Sequence, residues 1–149
     1  MAAFRIAWAY NVCLALGLVI AAAAPVGAGQ SIQCDVHLAA SFRSAADRYV
    51  AERAYASAAS WYLAAARVTR ACGAADAALL GPRSLAQAGT AYAQSGDYGP
   101  ALELLQTAQA RLAEMGAAGN ERTARAAQPY LEIVQKIIGA VNSLAESMM

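Results

Sequence analysis

Small and apolar side chains recur at three- and four-residue steps along most of the chain, which is the pattern of amphipathic helices. The clearest stretch runs from Leu85 to Arg111, where two such patterns flank the sequence Gly-Asp-Tyr-Gly-Pro. Gly96 suits the end of one helix, Asp97 is a good N-cap whose carboxylate can accept from free amides, and Pro100 is tolerated in a first helical turn. The stretch therefore predicts two helices that fold back on one another.

Small residues stand where these two helices are expected to touch. Gly89 and Ala101 lack bulk, so the two backbones can approach closely. Tyr92 and Leu105 supply the apolar area that closes the gap, at about 25 cal/mol per Å² buried. We expect all four residues to point into a helix–helix contact.

The same spacing occurs earlier in the chain. Asp35 is placed to cap a helix from about Val36 to Ala54, and a second helix is predicted from about Tyr55 or Ala56 to Ala71. Each position of the earlier pattern precedes its counterpart by 43 residues. The earlier pattern consists of Phe42, Ala45, Ala46, Tyr49, Ala58, Tyr62 and Ala65, and the later one of Leu85, Ala88, Gly89, Tyr92, Ala101, Leu105 and Ala108.

The later pattern resembles the tetratricopeptide motif, in which W-x2-L-G-x2-Y precedes A-x3-F-x2-A. Leu85 takes the leading aromatic position of that motif, and Gly89 takes its glycine. The likeness covers about Leu38 to Ala113 and is less regular in the earlier copy, where Ala46 replaces the glycine. The offset between the copies exceeds the family's repeat of about 34 residues, and the surplus lies around Thr69 to Gly81.

The resemblance implies an all-α fold of two antiparallel helical hairpins, as in a fragment of a right-handed α-solenoid. The first repeat would span about 38–72 and the second about 82–115, with an insertion at about 69–81.

Asn120 can cap a last helix over about 120–148, and Pro129 is expected to kink or split it. Tyr130 to Met148 carries a wide apolar stripe that matches no third repeat. We predict that it caps the second hairpin; the alternative is that the stripe also forms a homodimer seam.

Residues 1–28 are typical of a signal peptide that is removed on export. Arg5 gives a positive start, the run from Ile6 to Ala24 is almost wholly apolar, and Val26-Gly27-Ala28 has the small-residue spacing of a cleavage site. We therefore expect a mature domain of residues 29–149 that is periplasmic or secreted. The alternative is an uncleaved leader that anchors the protein, since the apolar run approaches the about 20 residues that span a bilayer.

Composition and charge agree with an exported helical domain. Alanine dominates, and no β-branched alternating run is present. The formal net charge is +1, without a basic run, so binding to nucleic acid through phosphate neutralisation is not expected.

Cys34 and Cys72 are the two cysteines of the mature domain, and an antiparallel helix pair would bring them together. We expect a disulfide between them; the alternative is two buried thiols.

No pattern in the chain indicates catalysis or a cofactor. His37 is the only histidine, and it forms a C-x2-H spacing with Cys34. A zinc site needs about four ligands, however, and no second ligand pair follows. The sequence also has no C-x-x-C, no G-x-S-x-G and no Walker-type glycine loop. We therefore predict that the protein has no catalytic residue, no metal and no cofactor, and that it is not an enzyme.

The resemblance also implies a groove, lined by the first helix of each repeat, that holds a peptide segment or a partner helix. Arginine in such a groove can bind a carboxylate, while glutamine and threonine can bond a peptide backbone. The alternative is that these are ordinary polar residues on an exposed helix face. Trp61 is a further candidate contact, unless it simply covers the core. The implied groove residues are Arg43, Asp47 and Val50 in the earlier copy and Arg83, Gln87, Thr90 and Gln94 in the later one.

The chain as a whole is thus predicted to be a small exported adaptor or scaffold for a protein or peptide partner. Two alternatives stay open. One is a self-associating structural envelope protein that uses the apolar C-terminal helix. The other is a membrane-anchored adaptor that retains its leader.

Overall fold

The computed structural model describes residues 33–73, 75–118 and 120–149. Within these ranges the chain forms α-helices and no strand, which confirms the predicted all-α fold class. Five of the helices have 14 to 27 residues, and one has four. They are α1 (Val36–Ala51), α2 (Tyr55–Val68), α3 (Ala75–Ala78), α4 (Leu80–Ser95), α5 (Tyr98–Ala117) and α6 (Glu121–Ser147).

The long helices pack in adjacent pairs along the chain. Helix α1 packs on α2, α2 on α4, α4 on α5, and α5 on α6. The predicted signal peptide, residues 1–28, lies outside the described residues. Of the helices that the structure describes, none has the length and apolar character needed to cross a membrane.

Helices α1 and α2 form a hairpin that is fixed at its open end. The Cα atoms of Cys34 and Cys72 lie 4.8 Å apart, and the two residues form the predicted disulfide. The amide of Asp35 also donates to the carbonyl of Val68 at 3.1 Å. The start of α1 therefore lies beside the end of α2, and the two helices run antiparallel. The disulfide spans 38 positions of the sequence, which corresponds to about 4 kcal/mol in the chain-entropy model.

Both helices of this hairpin end three residues earlier than predicted. Helix α1 stops because the chain turns at Glu52 and Arg53, where Arg53 has a left-handed φ of 58°. The amides of residues 52–54 donate back to carbonyls of α1 and close the turn. Helix α2 ends at Val68, and the buried Thr69 hydroxyl donates to a carbonyl one turn back at 2.9 Å. The apolar spacing continues through both turns, so it could not mark these ends.

The hairpin of α4 and α5 has the expected tight turn but not the expected cap. Gly96 has a φ of 88°, the left-handed conformation that glycine adopts without strain. Asp97 occupies the N-cap position of α5, but its side chain caps no amide. Its Oδ2 instead accepts from Ser95 Oγ at 3.0 Å. The predicted capping bond of Asp97 was therefore wrong.

Helix α6 is continuous over 27 residues. Asn120 caps it as predicted, since its Oδ1 accepts from the amides of Arg122 and Thr123 at 3.1 and 3.3 Å. Helix α6 does not split at Pro129, which was one of the two outcomes predicted there. Pro129 lies on the exposed side of the helix, where the carbonyl that it leaves without a donor can bond to water.

Helices α4 and α5 approach each other closely at Gly89. A Cβ built on this glycine would lie 2.8 Å from Cγ of Leu105 and 2.9 Å from the carbonyl oxygen of Ala101. Ala101 and Leu105 are fully buried, and Tyr92 packs half-buried against them. These four positions point into the contact between α4 and α5, as the sequence predicted.

The core consists of three clusters in which alanine is prominent. Most of the large buried side chains lie between α5 and α6, whereas alanines surround Tyr62 at the junction of α1, α2 and α4. None of the ten positions that define the repeat pattern is exposed, although Phe42, Tyr49 and Tyr92 are only half-buried; the other seven are Ala58, Tyr62, Ala65, Gly89, Ala101, Leu105 and Ala108. The clusters are Ala46, Ala58, Ala59, Tyr62, Ala88 and Ala91; Leu79, Ala101, Leu105, Leu112, Ala127, Val134 and Val141; and Ala66, Leu85 and Ala108.

Candidate functional site

A groove of about 220 Å³ lies between α4 and α6, and α5 forms its floor. We call it the α4–α6 groove. One wall is polar and comes from α4, and the other is apolar and comes from α6. The lining residues are Arg83, Ala86, Gln87 and Thr90 from α4, Leu112 from α5, and Tyr130, Ile133, Val134 and Ile137 from α6.

The polar wall arises from the spacing of three residues on α4. Arg83, Gln87 and Thr90 are four and three positions apart, so they share one face of the helix. The Thr90 hydroxyl donates to the carbonyl of Ala86 at 2.9 Å. The Oε1 atom of Gln87 is buried and accepts no hydrogen bond from the described part of the chain. Because this atom is buried, it presents no acceptor at the surface of the groove.

Arg83 supplies the positive charge of the groove. Its guanidinium carbon lies 4.7 Å from the centre of the Tyr130 ring, which is a cation–π geometry. No acidic residue lines the groove. Within residues 33–73, 75–118 and 120–149, no carboxylate forms an ion pair with Arg83. The charge is therefore held in place by an aromatic ring and is not neutralised by an acid.

The apolar wall is partly open to solvent. Ile133 is 52 % exposed, whereas Leu112 at the floor is 1 % exposed. Val134 is also buried, because it faces α5. The wall thus offers apolar area at the groove mouth while its base belongs to the core.

The groove brings together three of the seven implied groove residues: Arg83, Gln87 and Thr90. Gln94 is exposed on the last turn of α4 and lines no part of it. The three candidates of α1 lie elsewhere, at the contact of α1 with α2. Val50 packs half-buried against the core cluster of α1, α2 and α4.

Arg43 and Asp47 are drawn into a local arrangement with Tyr62. The Tyr62 hydroxyl donates to Oδ1 of Asp47. Burial, followed by this hydrogen bond and the negative charge of Asp47, raises the pKa of Tyr62 to about 12. Arg43 is half-buried, and its Nε has no hydrogen-bond partner among the described residues. Asp47 thus has a bonding partner within the domain, which ties it to the packing of α1 on α2.

Trp61 contributes to packing in the same region. Its ring lies 5.5 Å from that of Phe42 at an angle of 46°, and it is half-buried against the small-residue cluster. The side chain therefore covers the core, which was the alternative reading of its role.

Sequence reasoning missed the contribution of α6 to the groove. The apolar stripe of α6 is evident in the sequence, but its spacing predicts only a cap or a dimer seam. Which of its residues face α4 depends on the rotation of α6 on α5, and no local pattern encodes that rotation. The missed residues are Ala86, Leu112, Tyr130, Ile133, Val134 and Ile137.

A larger recess, of about 450 Å³, lies where α2 ends and α4 begins. It includes Cys72 and Thr69, and its charged side chains are Arg70, Arg111 and Glu114. The two signs of charge are mixed there, and no implied groove residue takes part. His37 is exposed at the start of α1, and the described residues hold no group of three or more His, Cys, Asp or Glu that could bind a metal ion.

Comparison of the chain with protein-family models, with characterised proteins and with solved structures finds no match.

Proposed function

We propose that this chain is a tetratricopeptide-like, non-catalytic interaction module that binds a peptide segment or helix of a partner protein in the α4–α6 groove. The observation that carries the proposal is the composition of this groove. Arg83, Gln87 and Thr90, which the resemblance implied as groove residues, line one recess opposite the apolar residues of α6. A cation and exposed apolar area in one open groove suit a peptide that carries an acidic and an apolar side chain.

The packing of the two hairpins supports the repeat part of this proposal. Ala58 and Ala101 are both fully buried at matching positions, as are Ala65 and Ala108. Helix α2 packs on α4, which is the stacking that consecutive repeats need in order to bury their faces. In this proposal α6 caps the second hairpin of a right-handed solenoid fragment.

Selection of peptides tests the function. A phage-displayed library of random peptides of about 12 residues, long enough to cross such a groove, is selected against the full chain. The consensus peptide is then labelled, and its dissociation constant is measured by fluorescence anisotropy. We expect Ile133→Ser to weaken binding about tenfold, which is about 1.4 kcal/mol, because it removes exposed apolar area at the groove mouth.

Leu38→Ser is the matched control, since Leu38 is also an exposed apolar residue, 40 % accessible, but lies on α1. It is expected to leave the dissociation constant unchanged. A library that yields no peptide, or a peptide that binds Ile133→Ser as well as wild type, contradicts the proposal.

We also propose that the protein acts outside the cytoplasm, after removal of residues 1–28. This part of the proposal rests on the leader-like sequence and on the disulfide, which oxidising compartments favour. Mass spectrometry of the protein from its producing cell tests it. Cleavage lowers the mass by roughly 3 kDa, whereas an intact mass supports the anchored alternative.

A further inference from the structure

A contact between a charged and an aromatic side chain joins the two walls of the α4–α6 groove. Arg83 comes from near the start of α4 and Tyr130 from α6, and both side chains are half-buried. The guanidinium carbon of Arg83 lies over the Tyr130 ring, 4.7 Å from its centre. Both residues line the groove. The positive charge of one wall is thus held by a residue of the opposite wall.

The ring leaves the hydrogen-bonding capacity of Arg83 unused. A guanidinium has five N–H donors in one plane, and the face of an aromatic ring attracts its charge without offering an acceptor oxygen. In the described part of the chain, no residue accepts a hydrogen bond from the Arg83 side chain or forms an ion pair with it. The Tyr130 hydroxyl also forms no hydrogen bond to any residue described. Arg83 therefore has its donors available for a bound molecule.

A carboxylate is the group that fits this arrangement. Its two oxygens can accept a pair of N–H bonds from the planar guanidinium. No acidic residue lines the groove, so a bound carboxylate meets no like charge there. An arginine loses rotamer freedom when it binds, and this loss is smaller for a side chain that is already held against a ring. The contact with Tyr130 therefore favours binding of a carboxylate by preorganising Arg83.

We propose that Tyr130 is a positioning residue that holds the guanidinium of Arg83 in the groove, and that the groove thereby selects partner segments with an Asp or Glu side chain. This inference rests on the proposed function and specifies the chemistry of its partner. The carboxylate of the segment binds the N–H groups of Arg83. An apolar side chain of the same segment lies on Ile133, which is one turn along α6 from Tyr130.

The charge preference is tested with the peptide that the random library yields against the full chain. The peptide is amidated at its C-terminus, so that only side chains supply carboxylates, and each acidic residue is replaced in turn by its amide. We expect one of these replacements to weaken binding to wild type about tenfold, because a charge-assisted hydrogen bond is lost. Arg83→Gln is expected to bind the acidic peptide and its amide version equally.

The role of Tyr130 is tested with Tyr130→Leu, which keeps an apolar side chain but removes the ring. We expect the preference for the acidic peptide to fall to about threefold or less, while the amide version binds as to wild type within about twofold. Tyr130→Phe retains the ring and is expected to retain the tenfold preference. Tyr98→Leu is the matched control, since Tyr98 is also half-buried against the core cluster of α5 and α6 but does not line the groove.

Three results overturn the inference: a selected peptide without an essential acidic residue, equal weakening of both peptides by Tyr130→Leu, or loss of the preference in Tyr130→Phe. Circular dichroism checks that each variant is folded. If Tyr130→Leu is unfolded, Tyr130→Met, whose flexible side chain adapts to irregular gaps, takes its place with the same expected results. Peptides that bind through Ile133 without a preference for acid leave the proposed function standing. A library that yields no peptide removes both.

Discussion

At the scale of single residues, the contact at Gly89 shows how one missing side chain sets the distance between two helices. The Ala101 carbonyl is backbone and cannot move away, and Leu105 is fully buried. The space at Gly89 is therefore already used by α5. A residue without a side chain is therefore needed at position 89 for α4 and α5 to lie this close together.

Gly89→Ala is expected to lower the free energy of unfolding by about 1–3 kcal/mol, because overpacking forces the helices apart. The measurement is urea unfolding followed by circular dichroism. Gly139→Ala is the matched control: Gly139 is also helical, but a Cβ there meets nothing within 4 Å. It is expected to stabilise by about 0.5–1 kcal/mol through helix propensity. Equal effects of the two substitutions would refute the close contact.

Tyr62 gives a pH-dependent prediction at the same scale. Burial and Asp47 raise the pKa of Tyr62 to about 12 in the folded protein, whereas an exposed tyrosine titrates near about 10. The folded state thus favours the protonated phenol more than the unfolded state does. The resulting stabilisation is complete below pH ~10 and is lost as the pH rises to ~12.

We expect wild type to lose about 2 kcal/mol of stability from this group between pH ~9 and ~12, and Tyr62→Phe to lack this component. Urea unfolding of both proteins at several pH values gives the difference, in which the titration of other groups cancels. Parallel pH profiles for the two proteins would mean that folding does not favour the protonated phenol of Tyr62.

At the scale of helices, local signals located the elements well and their ends less well. The cap of α6 at Asn120 and the left-handed glycine that ends α4 are properties of three or four neighbouring residues, and the sequence predicted both correctly. The ends of α1 and α2 were predicted too late because alanine-rich spacing does not reveal a turn. Of the two outcomes predicted at Pro129, a kink or a split, the split does not occur, since a proline on the solvent side leaves its orphan carbonyl to water.

The two aspartate caps provide a prediction for this scale. Oδ1 of Asp35 accepts from the amide of Leu38 at 2.8 Å, whereas the Asp97 carboxylate accepts from a serine hydroxyl instead of an amide. Asp35→Ala is therefore expected to cost about 1 kcal/mol of unfolding free energy, and Asp97→Ala clearly less. Thermal unfolding of the two variants, compared with wild type, provides the check. A larger loss for Asp97→Ala would reverse the assignment of the caps.

At the scale of the whole domain, α4 is the central element. It packs on both α2 and α5, and seven of its 16 residues are buried. Helix α6 has 27 residues, of which three are buried. Protection from local unfolding should follow this difference, because regions with few buried contacts open at lower free energy.

Hydrogen exchange of the native protein is expected to be slowest in α4, around residues 84–91. The last turns of α6, around residues 142–147, are expected to exchange at least about tenfold faster. Exchange followed by NMR or by mass spectrometry of peptides resolves the two segments. Equal protection in both would mean that α6 is held by contacts additional to its packing on α5.

The groove shows where prediction from sequence stops. The resemblance implies Arg83, Gln87 and Thr90 as groove positions, and these three do line one groove. It implies Arg43 and Val50 in the same way, but these two lie at the contact of α1 with α2. Helical spacing decides which residues lie together on one helix, and it does not decide what lies opposite them.

The sequence by itself determined the helices apart from some of their ends, the close contact at Gly89, and the expectation that Cys34 lies near Cys72. These depend on spacing, on caps and on the presence of small residues, all of which are local or repeat at a fixed interval. Only the tertiary structure decided that α6 supplies the second wall of the groove and that Arg83 stacks on Tyr130. The rotation of α6 on α5 follows from the simultaneous packing of many side chains that are distant in sequence, and no single segment contains that information.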